Sequence, residues 1–150
     1  MTVRAGTAQD FLSCIPMAER FWSVAGYAGD IPFDADSTVD YFAMGLKAGL
    51  FAVAEKSGEV IGFVIGVTTP SMVNRDCLIG AELAWWMEPE HRNSMDAIRL
   101  LKHIELMAKE AGCKLWSMMC LEALEPEKVE KMYLKMGYEK SERTFTRRLH

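Results

Sequence analysis

Apolar and polar residues along this chain follow two periods, and the places where the period changes mark its elements. "TVRAG" near the N-terminus reads as a short strand. Thr7, with Asp10 three residues on, then has the form of a helix N-cap. A first helix is expected over about 8–25, with Phe11, Leu12, Ile15, Ala18, Glu19 and Trp22 on one face and Pro16 as a kink. "GYAGDIPFDADS" is a turn-rich loop. Asp36 or Ser37 is placed to cap a second helix through about Lys47, which Gly49 would stop.

Period two then takes over. "LFAVAEKSGEVIGFVIGVTT" is two β-rich runs joined at Ser57-Gly58, a hairpin signal, and "CLIGAELAWWMEP" is a further strand ended by Pro89. From Ala97 the pattern is helical: Ala97, Leu100, Leu101, Ile104, Met107, Ala108 and Ala111 form one stripe, and Gly112 stops it. "KLWSMMCLE" reads as a short buried strand. Pro126 opens a helix through about Met136, Gly137 closes it, and "YEKSERTFTRRL" finishes as strand, turn, strand. The order predicts a mixed α/β sheet with helices on its faces.

Composition narrows the choices. The 150 residues are one domain by length, half of them hydrophobic, with no apolar run near the roughly 20 residues of a membrane span. "MTVRAGTAQDF" lacks the apolar core of a signal peptide, so a cytoplasmic location is expected. Cys14, Cys77, Cys113 and Cys120 form no CxxC pair and no ligand spacing with the histidines, which argues for free thiols and no metal. Residues 1–90 carry 5 Lys+Arg against 12 Asp+Glu, and residues 91–150 carry 12 against 9. The acidic half suits a cationic ligand and the basic half an anionic one, although ordinary surface variation gives the same figures. Without a concentrated basic cluster, nucleic acid is not an expected partner.

Three stretches, "RAGTAQD", "LAWWMEPEHR" with the helix after it, and "KMYLKMGYE", resemble the GNAT superfamily of N-acetyltransferases, and the element order does so over essentially the whole chain. The resemblance implies a single GNAT-like domain over 1–150, with a mostly antiparallel central sheet of six to seven strands flanked by about four helices. It also implies acetyl-CoA as co-substrate, met by a turn usually written Arg/Gln-x-x-Gly-x-Gly/Ala. Here that turn is Arg92, Asn93, Ser94, Met95, Asp96 and Ala97, and two of the family's glycine positions hold Asn93 and Met95. A helix N-terminus offers unpaired N–H groups and partial positive charge to a pyrophosphate. The same residues also read as a plain helix start, with Ser94 as cap and Asp96 an unwelcome charge beside a phosphate.

On the same resemblance, Met87 supplies a backbone N–H to a developing oxyanion, provided the strand parts from its neighbour there. Tyr133 matches the tyrosine that protonates a departing thiolate, and Glu82 lies where some members carry a base. A solvent-facing strand position explains Glu82 equally well. Trp85 and Trp86 face opposite sides of the sheet, one for the core and one, Trp86, for the cofactor cleft. Asp30, Asp34, Asp36 and Asp40, set among Tyr27, Phe33, Tyr41 and Phe42, suit an amine cation or are solvated caps. Transfer is expected to be direct, to a primary amine of a small molecule or protein. The alternative is a GNAT-fold binding protein that no longer turns over acetyl-CoA. Oligomeric state stays open, a homodimer being one option.

Overall fold

The computed structural model describes residues 1–92 and 95–149. Five strands, β1 (Thr2–Ala5), β2 (Phe51–Lys56), β3 (Glu59–Ser71), β4 (Asn74–Met87) and β5 (Cys113–Ser117), form one sheet in chain order. All neighbours are antiparallel except β4 and β5, which are parallel. The helices are α1 (Phe11–Val24), α2 (Ala35–Lys47), α3 (Met95–Glu110) and α4 (Pro126–Met136), with short 3₁₀ turns at Ala8–Asp10 and Pro89–His91.

Alternation along the strands builds two cores. Phe51, Val53, Phe63, Ile65 and Trp86 join Cys14, Met17 and Phe42 of α1 and α2 on one face. Ala52, Ala54, Ile61, Val64 and Met87 join Leu100, Leu101, Ile104 and Tyr133 of α3 and α4 on the other. Two adjacent strand residues therefore stabilise opposite sides of one sheet. The β2–β3 turn has the shape that the sequence asks for: Ser57 and Gly58 take φ of 54° and 82°, as a two-residue hairpin requires.

The sheet differs from the expectation in size. It has five strands, not six to seven, because residues 138–149 form no strand. Phe145 and Leu149 are the only large apolar residues after Tyr138, and both stay about nine-tenths exposed (90% and 89%), so the segment has little to bury by pairing. Arg148 instead meets Asp30 at 2.7 Å and Lys140 meets Glu130 at 2.7 Å.

Two helical details also differ. Asp34, not Asp36 or Ser37, caps α2, accepting from the Ser37 N–H at 2.7 Å. In α1 the inward residues are Cys14, Met17 and Ala18 with Phe11, Ile15 and Phe21, while Leu12 is 87% exposed. The two stripes share Phe11, Ile15 and Ala18, and the core lies on the side of Cys14, Met17 and Phe21 instead of that of Leu12, Glu19 and Trp22. Pro16 lies inside α1, which continues through it.

The start of the chain is tied by charge. Arg4 donates to both oxygens of Asp10 at 2.8 and 2.9 Å and to Glu55 at 2.8 Å, and Thr7 donates its backbone N–H to Asp10 at 2.8 Å. The Arg4 guanidinium holds the Asp10 carboxyl down to about 2, against 3.8 for a free one. A depressed carboxylate stabilises the fold above its unfolded pKa, and that contribution is lost as pH falls from about 4 to 2. Arg4 is 37% exposed, which weakens the pair. Asp10→Asn is therefore expected to cost about 1–2 kcal/mol at pH 7 and only a small fraction of that near pH 2. Urea melts at the two pH values would expose a constant difference if the ion pair contributes nothing.

Candidate functional site

One sheet interface opens. β4 and β5 pair from Leu78↔Cys113 to Ala81↔Ser117 and no further, although β4 runs on to Met87. Beyond Ala81 the β4 edge facing β5 has therefore lost its strand partner. Opposite, β3 follows β4 to its end, and the Glu88 N–H donates to Ile61 at 2.9 Å. Hydrogen-bonded and free pairs alternate in an antiparallel ladder, so the Gly62↔Met87 pair between turns its N–H and C=O outward. The Met87 N–H thus looks into the gap that β5 has left.

A bulge decides what else faces this gap. Ile65 pairs with Ala84 and Gly66 with Glu82, which leaves Leu83 as an extra residue in β4. Leu83 and Ala84 both pack toward α1 and α2, and the alternation restarts one step late. Without the extra residue, Glu82 would share a face with Trp86. With it, Glu82 lies on the face of Trp85, toward α4.

There it meets the tyrosine. The Met119 N–H donates to Glu82 Oε2 at 3.0 Å, and the Tyr133 hydroxyl donates to the Met119 carbonyl at 2.9 Å. Trp85 Nε1 donates to the Tyr133 oxygen at 2.9 Å. One residue just past β5, Met119, thus links both predicted catalytic side chains, through its N–H and its C=O. Glu82 is only 3% exposed, so it is not a solvent-facing strand residue. Burial pushes its carboxyl up to about 7, against the opposing pull of the Met119 N–H. Burial, and next the nearby Glu82 charge, raise the Tyr133 phenol well above its ordinary value, so it keeps its proton at any physiological pH.

The far end of β4 is braced by an arginine. Arg92 Nε donates to the Met87 carbonyl at 2.9 Å, and its guanidinium lies 4.1 Å above the centre of the Trp86 ring. Its Nη2 is buried and has no hydrogen-bond partner among the described residues. α3 starts at Met95, which is 61% exposed; Asp96 lies in the first turn, near Arg99, and Ala97 is buried. Asn93 and Ser94 lie outside the described residues.

Sequence reasoning missed Trp85 and Met119 as partners of Tyr133, and Glu88, whose carboxylate takes Trp86 Nε1 at 3.4 Å and pairs with Arg20. Neither a backbone contact nor a cross-strand indole bond leaves a local signal in the chain. Trp85 and Trp86 do face opposite sides, and both are packed. In the acidic loop, Asp34 is a helix cap, Asp30 binds Arg148, and Phe42 is fully buried. The four cysteines are free thiols, and burial pushes Cys14 up to about 12. Among the described residues, no group of three or more His, Cys, Asp or Glu is placed to hold a metal ion, and no helix is long and apolar enough to cross a membrane.

Solved structures share this layout. A ribosomal-protein-alanine N-acetyltransferase from Brucella melitensis biovar Abortus 2308 is 16% identical, with 99% of this chain and 100% of that one covered and a TM-score of 0.73. An aminoglycoside 6′-N-acetyltransferase from Acinetobacter haemolyticus is 16% identical, with both chains covered to 100% and a TM-score of 0.71. A predicted acetyltransferase from Clostridium acetobutylicum, solved with acetyl-CoA, is 18% identical, covering 98% of this chain and 95% of that one at a TM-score of 0.75. The fold is that of a class of α/β transferases of acetyl groups. Among curated protein sequences none matches this one. A family profile, Acetyltransferase (GNAT) domain, matches residues 47–140, well over half of the chain. The chain belongs to the GNAT acetyltransferase family.

Proposed function

We propose that residues 1–150 act as one domain that transfers the acetyl group of acetyl-CoA directly to a primary amine of a small molecule or a protein. The observation that carries this reading is the pairing of a proton-poised carboxylate and a protonated phenol on the backbone of one residue, Met119, at the gap between β4 and β5. Bound acetyl-CoA supplies an acyl group activated as a thioester. Glu82, titrating near pH 7, accepts the proton of the incoming ammonium, directly or through water. The Met87 N–H donates to the carbonyl oxygen as charge builds there. Tyr133 gives its proton to the sulfur as the carbon–sulfur bond breaks, and the new bond joins nitrogen to the acyl carbon. Burial raises the Cys14, Cys113 and Cys120 thiols, the opposite of what a covalent nucleophile needs, which supports direct transfer.

The residues at the mouth fit the phosphate end of the co-substrate. Arg92 has a buried nitrogen with no partner among the described residues, Trp86 holds its guanidinium, and Met95, Asp96 and Ala97 form the first turn of α3; Asn93 and Ser94, outside the described residues, complete the set we assign to the phosphates. Amine acceptors are also what the names of the Brucella and Acinetobacter proteins state for those enzymes. The free thiols support a reducing, cytoplasmic setting. A homodimer is the quaternary state we favour, because β5 is an edge strand with Leu115 exposed.

Calorimetric titration with acetyl-CoA and with CoA tests the reading. Micromolar binding, weakened at least about 30-fold by Arg92→Glu, is the expected result, since the change places a carboxylate where an anion would lie. Absence of heat up to millimolar ligand would overturn the enzyme reading and favour a GNAT-fold binding protein.

A further inference from the structure

Tyr133 sits in surroundings hostile to an anion. Burial opposes most strongly the charge its oxygen takes on when the proton leaves, Glu82 on β4 does so next, and the Cys120 thiol past β5 adds to it. Tyr138, whose ring centre is 5.5 Å away, turns its own hydroxyl to Glu105 of α3 at 2.7 Å and so lends no proton. A phenol placed like this is a poor acid for a thiolate unless something takes up the charge.

Among the described residues, one donor reaches the oxygen: Trp85 Nε1, at 2.9 Å. The two neighbours of the hydroxyl have fixed character. An indole N–H only donates and the Met119 carbonyl, also at 2.9 Å, only accepts, so the resting proton must point to Met119. To reach the sulfur, the hydroxyl has to turn off Met119, while the Trp85 bond lies on the oxygen and need not break. The ring that carries this N–H is itself held. Trp85 pairs with Val64 in the ladder and packs on the core shared with α3 and α4. The Leu83 bulge sets its face together with that of Glu82.

We propose that Trp85 is the positioning residue of the acid: its indole N–H holds the Tyr133 oxygen at the gap and takes up the charge left there as the proton moves to the sulfur. The proposal rests on the acetyl-transfer reading above. The carbon–sulfur electron pair stays with sulfur, the phenol proton joins it there, and a phenolate remains. The nitrogen sheds a proton as it becomes an amide, and that proton restores the phenol. A hydrogen bond to a charged partner is about twice as strong as one to a neutral partner, so the Trp85 bond tightens as the transfer proceeds. Filling the core asks for none of this, since a phenylalanine ring packs there without an N–H.

The experiment places 3,5-difluorotyrosine, which ionises at lower pH than tyrosine, at position 133 of the whole chain and follows its phenolate absorbance against pH. Trp85→Phe is expected to raise the midpoint by about one pH unit, a tenfold weaker acid. Trp22→Phe, which removes an indole bonded to the Ile31 carbonyl, should leave it unchanged. The sign separates the two roles, because a loosened core would admit water and lower the midpoint instead. With Trp85 intact and the indoles isotope-labelled, the Trp85 N–H resonance should move downfield with the same midpoint as the absorbance. That measurement tests the bond even if Trp85→Phe fails to fold. An unchanged or lowered midpoint in Trp85→Phe, or a Trp85 resonance that ignores the ionisation, would overturn the proposal. Neither readout uses acetyl-CoA, so that result leaves the acetyl-transfer reading standing. If calorimetry shows no acetyl-CoA binding, that reading falls and the role of Trp85 falls with it.

Discussion

Glu82→Gln is expected to lower kcat/KM by roughly 10²–10³-fold near pH 7.5 while making the protein more stable at that pH. The two effects have one cause. Glu82 is buried and its carboxyl is raised from 4.5 to about 7, so the folded protein holds the proton more tightly than the unfolded chain does. Stability is unaffected by this group below about pH 4.5, falls as pH rises toward 7, and levels off above. At pH 8 the buried charge costs about 2–3 kcal/mol. Glutamine keeps the shape and can still accept from the Met119 N–H, but never ionises. Thermal melts from pH 4 to 9 should show the two proteins together at low pH and the variant higher at high pH. Activity of the wild type should rise with pH through about 7 and then plateau. A variant with wild-type kcat/KM, or a melting difference that does not change with pH, would remove Glu82 from the role of base.

Tyr133→Phe is the second large effect, and it has the opposite sign in stability. The hydroxyl donates to Met119 and accepts from Trp85, so its removal leaves a carbonyl and an indole N–H without partners in a nearly dry site. That loss is worth about 1–3 kcal/mol. With the departing thiolate unprotonated, kcat should fall about 30- to 100-fold, while KM for acetyl-CoA changes little. The split separates the acid from a packing role, since a loosened site would raise KM as well. An acetyl donor with a thiol of lower pKa should recover much of the lost rate. If it recovers none, the tyrosine is not the acid.

Most of the fold was legible because it is written in local periods. The α3 stripe, the Ser57-Gly58 hairpin and the Gly137 stop each depend on residues within a turn or two, and each is found where the sequence places it. The inward face of α1 was misread because two overlapping helical stripes share Phe11, Ile15 and Ala18, and only the packing partners on the sheet and α2 decide between them. The last hairpin was misread because alternation alone does not say whether a strand has anything to bury. At the site, Tyr133 was legible only through family resemblance. What gives it chemical meaning lies elsewhere in the chain, at Met119 and Trp85. Glu82 was visible as a lone charge in an apolar run, but its face was hidden, since an extra residue in a ladder is a property of two strands.

That extra residue constrains how this gene can change. Leu83 lies between two stretches of β4 that keep opposite parity, so its side chain is replaceable while its place in the count is not. Losing one codon there would bring the strand back into phase and carry Glu82 to the far side of the sheet, among the aromatic residues of α1 and α2. Substitutions along β4 can therefore accumulate one at a time. Single-codon deletions between Glu82 and Trp85 are closed to the lineage as long as the enzyme is needed.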